Sequence, residues 1–332
     1  MKKEKMLTIV VPCYNEEEVL PETVKELGSV LEKMIAERKV ADNSKILFVD
    51  DGSKDKTWSL IRNFEEQHDY ITGIKFSRNF GHQNALVAGL TMAVNYSDIM
   101  ITIDADLQDD INAIPKMVQK YHEGKDIVYG VRNNRDTDTA FKRKTALAFY
   151  DLMKKLGVNM VPNSADYRLM SKRAVETLLQ FKERNLFLRG MVPMVGFPSA
   201  KVYYARKERF AGESKYPLKK MIKFALDGIT SFSTVPIKLI MGLGIGVVFI
   251  GIILMIYTFI QRCFGHVVAG WSSMMISIWV LGGVQMICIS VIGEYIGKIY
   301  SEVKGRPRFT IEEDDYSDKI KDALSTRNDR NL

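Results

Sequence analysis

IMITIDADLQDD, residues 99–110, decides how the chain is read. Ile99–Ile103 is a short apolar run rich in β-branched residues, the composition of a strand buried on both faces. It ends abruptly in Asp104-Ala105-Asp106, two carboxylates spaced i, i+2, with Gln108 two residues on and Asp109-Asp110 behind. A chain leaving a strand can turn both carboxylates onto one ligand. Oxygen donors on a short loop suit Mg²⁺ or Mn²⁺, which commonly complete their shell with water and substrate phosphate oxygens. Gln108 offers a neutral carbonyl oxygen to the same ion.

Outward from this stretch the pattern repeats. Leu7–Val11, Lys45–Val49, Gly73–Phe76 and Ile127–Tyr129 also read as strands, and Glu17–Glu37, Thr57–Glu66 and Gln83–Val94 as helices. Such alternation predicts an α/β fold, a Rossmann-like, mostly parallel sheet covered by helices on both faces. Ligands bind such sheets beyond the carboxyl ends of the strands. The residues found there are Pro12-Cys13-Tyr14-Asn15-Glu16-Glu17, Asp50-Asp51-Gly52-Ser53, Ser77-Arg78-Asn79-Phe80-Gly81-His82 and the acidic run from Asp104. Each alone is ordinary turn and cap chemistry. Four in succession at one sheet edge point to a site.

Composition narrows the class. The 332 residues carry 47 Lys+Arg against 40 Asp+Glu, a net charge of +7, and 46 % are hydrophobic, as in a folded chain. Cys13, Cys263 and Cys288 are too few and too scattered for a disulfide framework or a cysteine zinc site. Neither G-x-G-x-x-G nor G-x-x-x-x-G-K-[ST] occurs, which argues against a dinucleotide dehydrogenase and a P-loop ATPase.

The hydropathy is split along the chain. Leu239–Ile260 and Gly270–Gly293 are two runs without a charge, each long enough to cross a bilayer of about 20 residues' depth. The N-terminal MKKEKMLTIVVP has too short an apolar stretch for a signal peptide and reads as a first strand. Lysines and arginines crowd the segments before the first run and after the second, whereas the link Gln261–Ala269 carries only Arg262. The positive-inside rule then places both termini in the cytoplasm and the link outside. This positive-inside bias also accounts for the net charge, so no nucleic-acid partner is expected. Leu218, Met221, Ile222, Ala225, Ile229 and Phe232 form one helical stripe, with Lys219, Lys220 and Lys223 off it. That pattern predicts an interfacial helix on anionic headgroups. The expected organisation is a catalytic part over 1–213, an interfacial helix over 214–236, a two-helix hairpin over 237–296 and a cytoplasmic tail over 297–332.

The runs Val11–Glu17, Val49–Asp55 and Asp104–Asp109, in this order and spacing, resemble family-2 glycosyltransferases of GT-A fold. With two C-terminal spans, the whole chain resembles the polyprenyl-phosphate branch, which includes bactoprenol glucosyltransferases and dolichol-phosphate mannose synthases. The resemblance implies that Pro12, Tyr14, Asn15, Glu16, Asp50 and Asp51 hold the base and ribose of a sugar nucleotide. It implies that Asp104, Ala105 and Asp106 face its diphosphate, and that Asp104, Asp106 and Gln108 hold Mg²⁺ or Mn²⁺. Asn163–Met170 is similar to the acceptor-side segment, which makes Asp166 the candidate base. A phosphate acceptor with a second pKa near ~6 is already largely ionised, so Asp166 is equally a candidate to orient the acceptor or a sugar hydroxyl. Arg132, Arg143, Arg168, Arg209 and Ser214 are expected on the lipid phosphate, with Arg132 also a catalytic candidate. Arg209 and Lys215 are expected on the nucleotide phosphates.

The implied reaction moves one sugar, with inversion, from a nucleotide sugar to undecaprenyl phosphate. UDP-glucose is the leading donor, with UDP-N-acetylglucosamine and GDP-mannose open. Implied partners are a homo-oligomeric copy, a downstream flippase and a transferase that uses the lipid-linked sugar. A processive polysaccharide synthase is disfavoured, because Trp58, Trp271 and Trp279 lie in no Gln-x-x-Arg-Trp motif. A catalytically silent scaffold is disfavoured by the intact Asp104/Asp106 pair. Cys263 falls in the link, so in intact cells a membrane-impermeant thiol reagent is expected to label it from outside. Labelling of Cys13 instead would invert the topology.

Overall fold

The structure, a computed structural model, describes residues 4–133, 160–205, 233–264 and 270–321. The interfacial helix expected over 214–236 therefore lies outside the described residues up to 232, as do Arg143, Arg209, Ser214 and Lys215.

The elements run in the order β1 (Leu7–Cys13), α1 (Leu20–Ala36), β2 (Lys45–Asp50), α2 (Thr57–Gln67), β3 (Ile71–Phe76), α3 (His82–Ala93), β4 (Ile99–Thr102), α4 (Ala113–His122) and β5 (Ile127–Arg132). Then follow β6 (Ser164–Ser171), α5 (Lys172–Leu179), α6 (Leu188–Met194), β7 (Ser199–Tyr204), α7 (Val235–Cys263), α8 (Trp271–Val303) and β8 (Ile311–Asp314). Eight strands form one sheet in the order β7-β5-β6-β4-β1-β2-β3-β8. β1 pairs in parallel with β2 and β4, β2 with β3, and β5 with β7. β6 is antiparallel to both its neighbours, so the sheet is mixed, with a parallel block at β4-β1-β2-β3.

Alternate residues of each strand feed two cores. Leu7, Ile9 and Val11 face the layer of α1 and α4, where Leu27, Leu31, Ile114 and Met117 are buried. Val10, Val49 and Met100 face the layer of α3, α5 and α6, with Leu86, Leu90, Val175 and Met191. Gly89 lets α3 lie close on the sheet, since a Cβ there would stand 2.2 Å from Val10 Cγ1.

α7 and α8 have 29 and 33 residues, about 43 and 50 Å at the α-helical rise. Both exceed the ~30 Å hydrocarbon core of a bilayer. Their apolar side chains are not buried in the protein: Leu239, Phe249, Phe259, Met286 and Ile289 are all more than three-fifths exposed. Long apolar helices with bare surfaces are what membrane spans require, and a soluble core helix would be covered. α8 runs ten residues beyond the apolar stretch expected to end at Gly293, through Glu294, Lys298 and Glu302.

The segment from 297 is more than a tail. β8 pairs antiparallel with β3, placing Ile74 opposite Asp314 and Lys75 opposite Glu313. This covers an otherwise open sheet edge. Phe309 stacks on Phe76 at 5.4 Å. Tyr316 is fully buried, and its hydroxyl lies 3.1 Å from Thr8 Oγ1 and 3.4 Å from Ser97 Oγ. The tail was unrecognisable in the sequence because β8, IEED, has neither alternation nor a long apolar run; its partner strand and one anchoring tyrosine dictate its conformation.

Tyr316→Ala should lower unfolding stability by about 3–5 kcal/mol, the range for emptying a buried aromatic site. Tyr316→Phe should cost only about 1 kcal/mol, because Thr8 and Ser97 still bond each other at 2.7 Å. Thermal unfolding in detergent would check both, and equal effects would mean that the ring does not pack as described.

Candidate active site

The first two turns at the carboxyl edge are laced together. Asn15, at φ +53°, donates its backbone N–H to Ser53 Oγ at 2.9 Å and accepts from Lys54 N at 2.8 Å through Oδ1. Glu16 N donates to Thr57 Oγ1, and Asp51 N donates to the Cys13 carbonyl. Pro12 is buried within β1, and Tyr14 is half-buried beside the turn.

Asp50 and Asp51 do different things. Asp51 accepts from Phe80 N at 2.6 Å and Gly81 N at 2.9 Å, so both its oxygens hold the loop between β3 and α3. Gly52, at φ +67°, permits the close approach, since a Cβ there would meet the Arg78 backbone at 2.4 Å. Asp50 takes Ser53 N on Oδ1 and leaves Oδ2 buried without a hydrogen bond. Burial raises both carboxyls above their ordinary range, against the lowering effect of these hydrogen bonds.

Asp104 and Asp106 follow β4 as expected. Thr23 Oγ1 donates to the Ala105 carbonyl at 2.7 Å and pins the loop to α1. Leu107, at φ +54°, turns the chain so that Gln108 N reaches Asp106 Oδ1 at 3.2 Å. Asp104 Oδ1 is buried without a hydrogen bond, and His82 Nε2 stands 3.4 Å away. Burial is the chief reason the Asp104 carboxyl is pushed up to about 6; His82 opposes this, and Asp109, Asp166 and Asp106 add to it.

Asp166, on β6, is met by Arg168 on Oδ1 and by Arg189 at 3.3 Å on Oδ2, with His82 Nε2 3.9 Å from Oδ2. Burial alone would raise this carboxyl. The charges of Arg189, Arg168 and His82 reverse that and hold it far below the carboxylate range. His82 therefore stands between Asp104 and Asp166.

Two residues expected on the lipid phosphate have carboxylate partners within the protein. Arg168 is 3 % exposed and donates to the carbonyls of Leu188 and Ala165 as well as to Asp166, so it supports Asp166 from beneath. Arg132 is bound to the buried Asp109, with Nε at 3.1 Å and Nη2 at 2.9 Å, and Tyr204 donates to the same carboxylate oxygen at 2.6 Å. A strand-end arginine looks free in sequence; here the neighbouring acidic loop supplies its buried counter-charge. The sequence alone does not assign His82, Arg189 or Asp109 to the site. His82 and Asp109 did lie in the turns singled out, whereas nothing local marks Arg189.

Among the described residues, no three His, Cys, Asp or Glu side chains converge as a metal site. Asp104 and Asp106 still fit a divalent cation that takes its remaining oxygens from a substrate: Asp104 Oδ1 is a buried, unbonded acceptor in a crowd of carboxylates.

A parallel α/β block with an acidic turn at the end of β4, a cation-held carboxylate on the antiparallel β6 beside it, and an apolar helical hairpin beyond the catalytic part define a membrane-associated GT-A glycosyltransferase. The chain belongs to glycosyl transferase family 2, which it matches over residues 8–179, and residues 235–299 match the GtrB C-terminal hairpin. It is 56 % identical over 319 residues to an uncharacterized glycosyltransferase, YkoT, of Bacillus subtilis, covering 96 % of this chain and 95 % of that one. It is 41 % identical over 310 residues to the bactoprenol glucosyl transferase of Shigella phage SfX, covering 92 % and 98 %. Among solved structures, it is similar to glucosyl-3-phosphoglycerate synthase from Mycobacterium tuberculosis, in complex with Mn²⁺, uridine diphosphate and phosphoglyceric acid. That similarity has a TM-score of 0.46 at 19 % identity, over 68 % of this chain and 76 % of that one.

The raised Asp104 carboxyl has a stability consequence. Its folded value lies above the unfolded one, so folding takes up a proton between about pH 4 and 6. The stability it withholds at pH 7 is regained as the pH falls below about 6. Asp104→Asn should therefore raise the melting temperature of the metal-free protein at pH 7.5 by a few degrees, and much less at pH 5. An equal shift at both pH values would rule out charge as the cause.

Proposed function

We propose that the enzyme transfers one sugar from a nucleotide sugar, UDP-glucose first among donors, to undecaprenyl phosphate at the cytoplasmic face of the membrane. The observation that carries this reading is the 41 % identity to a bactoprenol glucosyl transferase over 310 residues, spanning both the catalytic part and the hairpin. Geometry supports it. α8 leads back into β8, and β8 lies in the catalytic sheet, so both ends of the hairpin belong to one side of the membrane. That arrangement favours a two-pass protein with both termini cytoplasmic and the sheet edge near the surface where a lipid phosphate resides.

In this mechanism the donor's base and ribose occupy the turns of Pro12, Tyr14, Asn15, Glu16 and Asp50. Asp50 Oδ2, buried and unbonded, is the acceptor for a donor hydroxyl or N–H. Asp51 shapes the adjoining loop. Asp104 and Asp106, with Gln108, would hold Mg²⁺ or Mn²⁺, which when bound neutralises charge on the diphosphate leaving group. An acceptor phosphate oxygen attacks the anomeric carbon as the bond to the nucleotide diphosphate breaks, with inversion. The acceptor is ionised near neutrality, so no proton need be removed. Asp166, held so far down by Arg189, Arg168 and His82, is a poor base and a good anchor: it holds Arg189 and helps fix His82 beside Asp104. Arg143, Arg209, Ser214 and Lys215 remain proposed phosphate ligands. The product is a lipid-linked sugar for a flippase and an external transferase, made by a homo-oligomer.

The test is transfer in detergent to undecaprenyl phosphate from a panel of UDP- and GDP-sugars with Mg²⁺ or Mn²⁺, using the Asp104→Ala/Asp106→Ala protein as control. UDP-glucose should be the best donor and the control inactive. A preference for UDP-N-acetylglucosamine or GDP-mannose would replace the sugar; no lipid product from any donor would overturn the acceptor. Asp166→Asn should lower kcat about tenfold, less than the 10²–10⁴-fold attributed to loss of a general base. It should also leave the pH profile between 6 and 9 unchanged, whereas loss of a titrating limb would make Asp166 a base.

A further inference from the structure

Beyond the loop that Asp51 holds lies a second feature with no part in the transfer chemistry. A cavity of about 350 Å³ opens between the β3–α3 loop, the segment before α6 and the turn after α8. Its walls carry three guanidinium groups, Arg78, Arg184 and Arg308, with Phe80, Asn84 and Pro307. Among the described residues, none of the three arginines has a carboxylate within ion-pair distance. Arg78 lies 3.9 Å over the Phe80 ring and donates to the Asn79 carbonyl at 3.1 Å. Arg308 donates to the Phe181 carbonyl. Burial lowers the Arg308 pKa most; Glu183 and Glu302 oppose this, and Arg184 adds to it. Glu302 itself accepts Arg184 N at 2.7 Å and Asn185 N at 3.1 Å. Asn84, also in the lining, has an acceptor, Oδ1, that is buried without a hydrogen bond.

Three arginines lining one cavity can form a receptor for a phosphate oxyanion. An unbonded acceptor beside them asks for a hydroxyl on the same ligand. Position supplies the rest. Pro307 and Arg308 follow the end of α8 at Val303 by four and five residues, beyond the charged turns Glu294–Glu302 through which the helix leaves its apolar stretch, in a juxtamembrane segment of the kind an anionic leaflet attracts. We propose that Arg78, Arg184 and Arg308 form a binding site for the phosphate of an anionic membrane lipid with a hydroxylated headgroup, distinct from the reacting acceptor. The site rests on reading α7 and α8 as membrane spans. Phe80 and Gly81, which line it, are the residues whose N–H groups Asp51 holds. Headgroup occupancy thus braces one face of a loop whose next residue is His82.

The test uses the full chain in phosphatidylcholine nanodiscs, with displacement of fluorescent phosphatidylglycerol as the readout and no donor sugar present. Wild type should bind phosphatidylglycerol, and Arg78→Gln and Arg184→Gln should each bind it roughly tenfold more weakly. Arg78→Gln keeps the test sound if Arg184→Gln disturbs the contact with α8, since Arg78 bonds only its own loop. Equal binding by wild type and variants would overturn the site. Displacement of the probe by millimolar inorganic phosphate as readily as by lipid would overturn the membrane source and leave a soluble phosphate site. Failure of the chain to enter nanodiscs would count against the hairpin, whereas entry without headgroup preference would count against this inference alone.

Discussion

The constraint on which the site depends is charge crowding at the carboxyl edge of the sheet. Asp104, Asp106 and Asp109 lie on the loop after β4 and Asp166 on the adjacent β6, and their mutual repulsion has to be answered within a partly buried edge. The answer is uneven. Asp109 has Arg132 and the Tyr204 hydroxyl. Asp166 has Arg168, Arg189 and the nearby His82. Asp104 has His82 alone at 3.4 Å and an unbonded oxygen. Asp109 and Asp166 thus have cationic partners, whereas Asp104 keeps an unbonded oxygen. This inequality follows from which elements bring arginines to the edge.

β6 matters most in this respect. Running antiparallel between β4 and β5, it brings Asp166 and Arg168 beside the end of β4. A purely parallel continuation would need a crossover helix, and the segment after it would sit on a face of the sheet. The reversal instead sets Asp166 on β6 beside the loop of Asp104 and Asp106 that leaves β4. α6 then caps the arrangement, since Leu188 N bonds Gln83 Oε1 and Arg189 reaches Asp166.

The parallel block and its four polar turns were legible because they rest on local rules: apolar runs of strand length, turn residues after them, and helices of 3.6 periodicity between. β1, β2, β3, β4 and β5 fall within two or three residues of where the sequence puts them. Asp104 and Asp106 were legible for the same reason, as carboxylates at a strand end. What could not be read depends on partners far along the chain. Asp51 looks like a ligand residue, but the N–H groups of Phe80 and Gly81, about thirty positions on, claim both its oxygens. Arg132 and Arg168 look unpaired in sequence, and the fold sets Asp109 and Asp166 beside them. β8 is an acidic tetrapeptide that becomes a strand only because β3 offers it an edge.

The return of the tail to the sheet ties membrane and catalytic parts together mechanically. A hairpin joined to a soluble domain only at its first end would be free to tilt against it. Here the chain leaves α8, is clamped by Glu302 on the amides of Arg184 and Asn185, stacks Phe309 on Phe76, and ends with Tyr316 inside the core between Thr8 and Ser97. Phe76 also packs edge-on against Phe80, in the loop that leads into His82. The contacts that fasten the hairpin and those that position the histidine between Asp104 and Asp166 therefore share one short loop. A transferase that must meet a lipid-bound phosphate gains from such sharing, because orientation relative to the bilayer and alignment of the reacting groups become a single geometric requirement.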